Sequence, residues 1–428
     1  MSRDKNRSRD FTYINLINLI ANSTTTLLGP MALTLATVFN VNVINIGFVN
    51  SLYLLIGGFF SIFWGILADK MNRKKLLIIS SIICMIGTLI VGFSTSYLFF
   101  LIIEIITSIG YAGIMPISFT LITDLIVPER RAHAFGILQM TSLLGVGFGL
   151  ILGGILVDFL PWWVPFLIIA FNGTIYITLL KNIQEPQRGK LDGFKQVKVM
   201  DKDKVSFFLT RTDFKELFTT NTNILLTFYS FIKVLNYGAF NFYFITMLEK
   251  QLSISTSLAT IMMIGTFSIM IIGSPLLGKI ADNLFNKRET AKIEILILIM
   301  LIGPSFYLLA FSFDINSSNI WLIVLFIILI LMGAFTTSGE AGIAQSLIGD
   351  VVAPHLRSTF FSIQLIVSRI GQGLGISLFI LFLDLSQNSY RIAFSGIVLT
   401  LIASVIFIIP MRKTIKKDME KLKLKYKN

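Results

Sequence analysis

The chain has 428 residues, of which 54% are hydrophobic and only 14% charged, with a formal charge of +13 and a mean hydropathy of +0.80. A soluble domain carries roughly a quarter charged residues, so a water-soluble globule is excluded and an integral membrane protein is the class that accommodates this much apolar surface. The basic residues lie in short segments between apolar runs and in the tail, which suits anionic lipid headgroups and argues against nucleic acid.

The basic start MSRDKNRSRD leads into an apolar run too long for a signal-peptide core and shows no small-residue cleavage site, so it reads as a retained cytoplasmic end. A membrane-crossing helix needs about 20 mostly apolar residues to span ~30 Å of hydrocarbon. Such runs fall near 11–39, 44–68, 75–94, 97–123, 132–158, 161–181, 221–249, 254–281, 291–313, 319–348, 357–384 and 389–411. They predict an all-α membrane protein with twelve transmembrane helices. The expected organisation is a six-helix bundle over 1–181, a polar cytoplasmic linker over 182–220, a second six-helix bundle over 221–411, and a basic cytoplasmic tail over 412–428.

Lys and Arg occupy alternate connections: Arg3 to Arg9, Lys70 to Lys75, Arg130 and Arg131, the linker, Lys279 to Lys292, and the tail. The opposite connections carry only Lys250 and Arg391. Basic loops stay on the cytoplasmic side, so both termini are expected there, in a cell-membrane protein. The tail RKTIKKDMEKLKLKYKN reads as a solvated flank of the same kind, with a lipid-surface anchor or a binding site as the alternatives. Cys84 is the sole cysteine, which leaves no intrachain disulfide and no thiolate metal cluster.

The stretch GILADKMNRKK at 65–75 recurs as GKIADNLFNKR at 278–288. Gly65 pairs with Gly278, Asp69 with Asp282 and Lys74 with Lys287 at a constant offset. A second echo aligns Asp124, Pro128 and Arg131 with Asp350, Pro354 and Arg357, followed by paired glycines and by Asp158 with Asp384. Two echoes in the same order predict two six-helix repeats of equal orientation, related about an axis along the membrane normal.

With these residues in place, the chain resembles the major facilitator superfamily over nearly its whole length. That family's loop motif runs Gly-x-x-x-Asp-Arg-x-Gly-Arg-Arg or Lys between its second and third helices; here it reads Gly65, Asp69, Lys70, Asn72, Arg73, Lys74. Within the superfamily the chain is similar to spinster-like transporters of lysolipids and sphingolipids, on NLINL near 15–19, the 65–75 loop and DVVAPHLRSTFFSIQLIVSRIGQGLG at 350–375. It departs from them at Ala21 and Asn22, where they carry Asp-Arg, and at Glu104 and Tyr111, where they carry Arg and then Glu.

The resemblance implies a gating set of Gly65, Asp69, Arg73, Lys74, Asp124, Arg131, Asp282, Asp350 and Arg357. Asp69 is expected to face the start of the eleventh helix near Arg357 and Ser358, with Asp282 as its twin near Arg131. By the resemblance these contacts hold the outward-facing state. Lys70, Lys74 and Lys75 read equally as topology charges. His133 and His355 are expected to be solvated neighbours of Arg131 and Arg357.

An ionisable side chain inside a span costs roughly 2.5–3.5 kcal/mol on insertion scales and normally faces protein or water. Four such residues stand out, Glu104, Lys233, Glu340 and Arg369, and they either face a cavity or neutralise each other as structural pairs. Lys233 and Arg369 in one cavity would favour an anionic headgroup, carboxylate or phosphate. Glu104 is the expected proton-coupling group, with a static pairing to Lys233 or Arg369 as the competing reading. Asn15, Asn18, Asn22 and Thr25 share one face of the first helix and either bind substrate or glue helices together. Tyr111, Tyr237, Asn241 and Gln372 complete the substrate and coupling set, and Phe240, Phe242, Tyr243 and Phe244 suggest an apolar lining. Glycines at 145, 149 and 153 and at 371 and 375 read as close-packing positions.

The expected function is secondary active transport by alternating access, with protons as coupling ion and a small amphipathic or anionic substrate such as a lysolipid. The alternatives are a proton-coupled multidrug exporter and a receptor or sensor on a transporter scaffold. No paired acid–base set, nucleophile, zinc spacing or phosphate loop is present, so neither an enzyme nor a cofactor is expected. The expected unit is a monomer, with membrane lipids and a small-molecule or lipid substrate as its partners.

Overall fold

The computed structural model describes residues 2–41, 43–154, 159–192, 211–254, 256–313, 319–387 and 389–427. Helices account for nearly all of them: α1 Ser2–Thr24, α2 Ala32–Phe39, α3 Val43–Lys70, α4 Arg73–Val91, α5 Tyr97–Leu125, α6 Arg131–Gly154, α7 Val164–Leu180, α8 Arg211–Thr219, α9 Asn221–Leu252, α10 Thr256–Phe285, α11 Ala291–Ser312, α12 Ile320–Thr337, α13 Glu340–Val351, α14 Arg357–Leu385 and α15 Tyr390–Lys427. Among the described residues there is no strand. Among the described residues, nine helical segments are long and apolar enough to cross a bilayer. The other three expected spans fall on α1 with α2, on the shorter α7, and on α9, whose apolar character is diluted by Lys233, Asn236 and Asn241.

Two expected spans are broken. The first stops at Thr24, where the hydroxyls of Thr24, Thr25 and Thr26 bond back to the carbonyls of Ala21, Asn22 and Ser23, and Gly29-Pro30 follows. Such side chains compete with the helix ladder, and proline cannot donate to it. The tenth breaks at Ser338-Gly339, after which Glu340 opens α13. An acid in a first turn is favoured by the helix dipole. The last helix runs unbroken from the membrane-scale segment to Lys427, so the tail is a helical continuation. Its buried face, with Ile415, Met419 and Leu422, packs back onto the protein. The linker between 193 and 210 and Asp158 lie outside the described residues.

Helices α1–α7 and α9–α15 meet chiefly where α3 packs on α14 and where α6 packs on α10 and α13. One large apolar core joins the first set to the ends of α9, α13, α14 and α15, and a second lies within α9, α11, α12, α14 and α15. The α3–α14 contact depends on Gly65, where an added Cβ would lie 2.3 Å from Ser362 Oγ and 2.8 Å from Ser358 O. Gly278 has the same role on α10, 2.4 Å from Ala132 O. Phe119 of α5 stacks on Phe361 of α14 with centroids 4.3 Å apart, which extends the seam.

Replacing Gly65 by Ala is expected to lower stability by about 1–3 kcal/mol through overpacking. Gly47→Ala, whose added methyl meets nothing within 4 Å, is expected to leave it unchanged or slightly raised. Thermal unfolding in detergent measures both, and equal midpoints would contradict a tight α3–α14 seam.

Candidate functional site

A cavity of about 520 Å³ lies between the two helix sets. The first set contributes Asn22 of α1 and Thr25 just beyond it, Asn50 of α3 and Tyr111 of α5; the second contributes Tyr237 and Asn241 of α9, Glu340 of α13 and Arg369 of α14. Its apolar walls include Phe240, Met263, Phe267 and Met270. Tyr111 Oη donates to Asn22 Oδ1 at 3.2 Å, and Asn22 Nδ2 donates to Asn18 O at 2.7 Å, so that side chain is fixed at both ends. Arg369 makes one described hydrogen bond, Nη1 to Gln372 Oε1 at 3.4 Å, and no ion pair among the described residues.

The other expected cavity residues divide. Lys233 does not stand as a second free cation: its ammonium pairs with Glu340 Oε1, which also accepts from Tyr229 Oη at 2.7 Å. Burial explains the pairing, since an isolated charge in this core would be costly and the neighbouring carboxylate neutralises it. Glu104 pairs with neither Lys233 nor Arg369. It is only 5% exposed, lines neither this cavity nor the chamber beside it, and has no hydrogen bond or ion pair among the described residues. Asn18 binds Ser118 Oγ at 2.8 Å and Asn15 accepts from Thr141 Oγ1 at 3.0 Å, so both join helices and do not face the cavity. Gln372 supports Arg369 without lining the cavity. Of the expected aromatic lining only Phe240 is present: Phe244 is buried behind it, Tyr243 stacks on Phe379, and the side chain of Phe242 lies outside those described.

One end of the bundle, carrying the charged loops, is closed by hydrogen bonds between the two sets. Asp69 Oδ1 and Oδ2 accept from the backbone N–H groups of Ser358 and Thr359 at 3.0 and 2.7 Å, at the start of α14. Asp282 accepts from Ala132 and His133 at 3.2 and 2.7 Å, at the start of α6. A helix N-terminus offers unsatisfied N–H groups and partial positive charge, which suits a carboxylate. His133 is therefore part of the closure, its ring nitrogen 2.8 Å from Pro275 O, and not a solvated loop residue. Around these contacts Arg357 donates to Asp124 and Arg131 to Asp350, each at 2.9 Å and each across the seam. Arg73 behaves differently: it pairs with Asp124 and Glu185 within its own helix set, and touches the seam only through Asp124. Lys74 is also turned to its own set, its ammonium donating to Lys181 O at 2.7 Å.

Residues 14–375 match the family described as "Major Facilitator Superfamily". The chain belongs to that superfamily. It is a transporter family, so the protein is a multi-pass membrane transporter and not an enzyme. Over 94 residues the chain is 37% identical to the putative niacin/nicotinamide transporter NiaP of Bacillus subtilis (strain 168), covering 22% of this chain and 23% of that one. It is 26% identical over 252 residues to the cis,cis-muconate transport protein of Acinetobacter baylyi, covering 58% and 59% respectively. The chain thus spans less than two thirds of either relative. The proton:xylose symporter XylE bound to 6-bromo-6-deoxy-D-glucose shares the fold, with a TM-score of 0.72, 16% identity, and coverage of 99% of this chain and 100% of that one.

In this superfamily member the segment after α7 is a strap across the closed end, and sequence reasoning missed it. Arg188 donates to the carbonyls of Ala68 and Asp69 at the end of α3 and of Met71 just beyond it, at 2.8, 2.5 and 2.8 Å. Burial, and then the nearby Arg73 charge, bring its guanidinium down to about 10, which leaves it protonated at neutral pH. Glu185 accepts from Arg73 at 2.9 Å and from the backbone of Lys74 at 2.8 Å, and Gly189 N donates to Asp124 at 3.1 Å. Asp192 then bridges Arg131 at 2.8 Å and Arg357 at 2.7 Å. Burial opposes its ionisation, but the Arg357 and Arg131 guanidinia outweigh that and hold it below its ordinary 3.8. Lys292, bonded to Asp350 at 2.8 Å, was missed as well. The available signal was the density of acids and bases in QEPQRGKLD, directly after an apolar span.

Asp192→Ala leaves two buried guanidinia with one carboxylate fewer and is expected to cost about 3 kcal/mol, read as a lower unfolding midpoint in detergent. A carboxyl held below its ordinary value contributes its full stability above pH 3.8 and loses it as pH falls further. The midpoint difference between wild type and variant should therefore be constant from pH 5 to 8 and shrink only in stronger acid.

Proposed function

We propose that this transporter carries a small organic anion, with a carboxylate as its charged group, by alternating access. The observation that carries this reading is Arg369: a guanidinium facing a cavity of amides and hydroxyls, with no acidic partner among the described residues. Arginine presents a planar fork of donors that matches a carboxylate. The names of two relatives bear on the chemistry: cis,cis-muconate is a dicarboxylate, and of niacin and nicotinamide the first is a carboxylate and the second a neutral amide. In this reading the membrane is the cell membrane, the charged loops and both termini are cytoplasmic, and the arrangement described is outward-facing, with Asp69 and Asp282 as gating latches. The protein acts as a monomer of two six-helix units.

Coupling to protons belongs to the same proposal. Glu340 is the better-placed carboxyl, because it lines the cavity and is held by Lys233 and Tyr229. Protonating it would release Lys233 and loosen α13 from α9. Glu104, the carboxyl that sequence alone favours, has no place on the cavity wall. A lysolipid remains the second substrate reading, supported by the likeness of 350–375 to spinster-like transporters and by the Met263, Phe267 and Met270 wall. That wall also suits hydrophobic drugs, since methionine adapts to varied shapes.

Arg369→Ala is expected to reduce uptake of the preferred anion into proteoliposomes by about 10- to 100-fold, the value of a hydrogen bond to a charged group. Testing nicotinate, cis,cis-muconate, a lysolipid and a hydrophobic cation side by side separates the substrate readings; transport of the cation alone would overturn the anion reading. Glu340→Gln is expected to abolish accumulation driven by a pH gradient while sparing counterflow exchange. Unchanged gradient dependence in Glu340→Gln, with loss in Glu104→Gln, would move the coupling role to Glu104.

A further inference from the structure

A second, smaller chamber of about 190 Å³ adjoins the cavity, and Asn22, Leu54, Tyr111 and Arg369 line both. The Asn22–Tyr111 hydrogen bond and the Arg369 side chain thus form a collar between an outer and an inner compartment. Along α6 the inner chamber takes Gln139 and Ser142, whereas the outer takes Leu143, Val146 and Leu150. Because α6 begins at the closed end, the inner chamber lies deeper, towards the Asp69 and Asp282 contacts.

The polar groups of this chamber are unequal. Tyr53, Ser61 and Ser142 already bond to Thr24, Gly58 O and Leu138 O. Gln139 has no hydrogen bond among the described residues, and Arg369 has only Gln372. Two donors with spare capacity, one charged and one neutral, therefore face one small space. Both side chains are half-buried, so an acceptor entering the chamber can reach them. A carboxylate accepts from both, and its negative charge answers a guanidinium that no acid among the described residues pairs with. The volume equals about six waters at ~30 Å³ each, room for a carboxylate with a few attached carbons but not for a long chain. Gly57 and Gly58 keep the α3 wall low, with the added Cβ of Gly58 already 3.9 Å from Arg369 Cγ.

Resting on the anion reading above, we infer that the inner chamber is the carboxylate subsite: Gln139 and Arg369 grip the charged group there, and the rest of the substrate projects through the collar into the outer cavity. Apart from Leu365 and Arg369 the chamber is built by the first helix set. The anion is thus held by one set and clamped by one residue of the other. Specificity follows from the shape: bulk beside the carboxylate is rejected, and bulk at the far end of the molecule is tolerated.

The test is equilibrium binding to the purified full-length protein in nanodiscs, with benzoate, 4-butylbenzoate, 2,6-dimethylbenzoate, and the neutral benzamide as probes. Wild type should bind benzoate and its 4-butyl derivative at least tenfold more tightly than the 2,6-dimethyl compound or benzamide. Gln139→Leu, similar in volume but without the amide, should weaken benzoate about tenfold and leave benzamide within twofold. Gln139→Glu, which adds a negative charge beside Arg369, should abolish benzoate binding. Ser142→Leu should fill the chamber and exclude all four probes. If Gln139→Leu and Gln139→Glu both bind benzoate as wild type does, while Arg369→Ala does not, the anion reading stands and the inner-chamber subsite is wrong. If wild type shows no preference for benzoate over benzamide, the anion reading itself falls and the subsite with it.

Discussion

A carboxylate taken out of water must find donors, and in this protein two of them find the donors on the opposite helix set. Asp69 closes on the first N–H groups of α14, and Asp282 on those of α6. Each contact spends one carboxylate on two backbone donors at a helix end, where N–H groups have no partner within the helix. These bonds fix the two sets in register at one end. The close passage of Gly65 past Ser358 and of Gly278 past Ala132 serves the same geometry, since a side chain at either glycine would hold the acid away from its donors.

The burial of three arginines follows from that closure. Arg73, Arg131 and Arg357 are all at most 1% exposed, and each is matched by at least two carboxylates or carbonyls. Removing water strengthens these pairs and makes any unmatched member expensive. The interior midway along the bundle is arranged differently. It holds one neutralised pair, Lys233 with Glu340, and one cation, Arg369, with no acidic partner among the described residues. Charge complementarity is saturated where the sets lock and left open where a ligand would sit.

How far all this could be read from sequence varies with the kind of information each residue carries. The twofold echo of Gly65 and Asp69 in Gly278 and Asp282 carries position directly, because an internal repeat relates two sites by symmetry. Helical spans and the family were legible from hydropathy and the loop motif. The Lys233–Glu340 pair was not, because its members are 107 residues apart and nothing local ties them together. Glu104 illustrates a second limit: in a helix apolar on every side, hydropathy cannot tell a cavity face from a face packed on neighbours. The break at Ser338-Gly339 hides in an apolar run that reads as continuous. Asp192 was invisible for a third reason, since it belongs to a polar linker with no counterpart in the second repeat echo, and the repeat argument does not reach it.

The strap also bears on the order in which the chain is assembled. Arg73 and Asp124 belong to α4 and α5, and their partner Glu185 and the Gly189 amide come just after α7. Helices α1–α7 therefore carry their own charge-neutralising segment at their C-terminal edge, available as soon as synthesis passes it. Arg131 and Asp192 can also meet at that stage, but Arg357 and Asp350 do not yet exist. A half-made chain would display at its rim the Arg131–Asp192 pair and the carboxylate of Asp69, both waiting for α13 and α14. The same acid that later spans both halves would serve first as a placeholder, shielding Arg131 from unpaired exposure until the second half arrives.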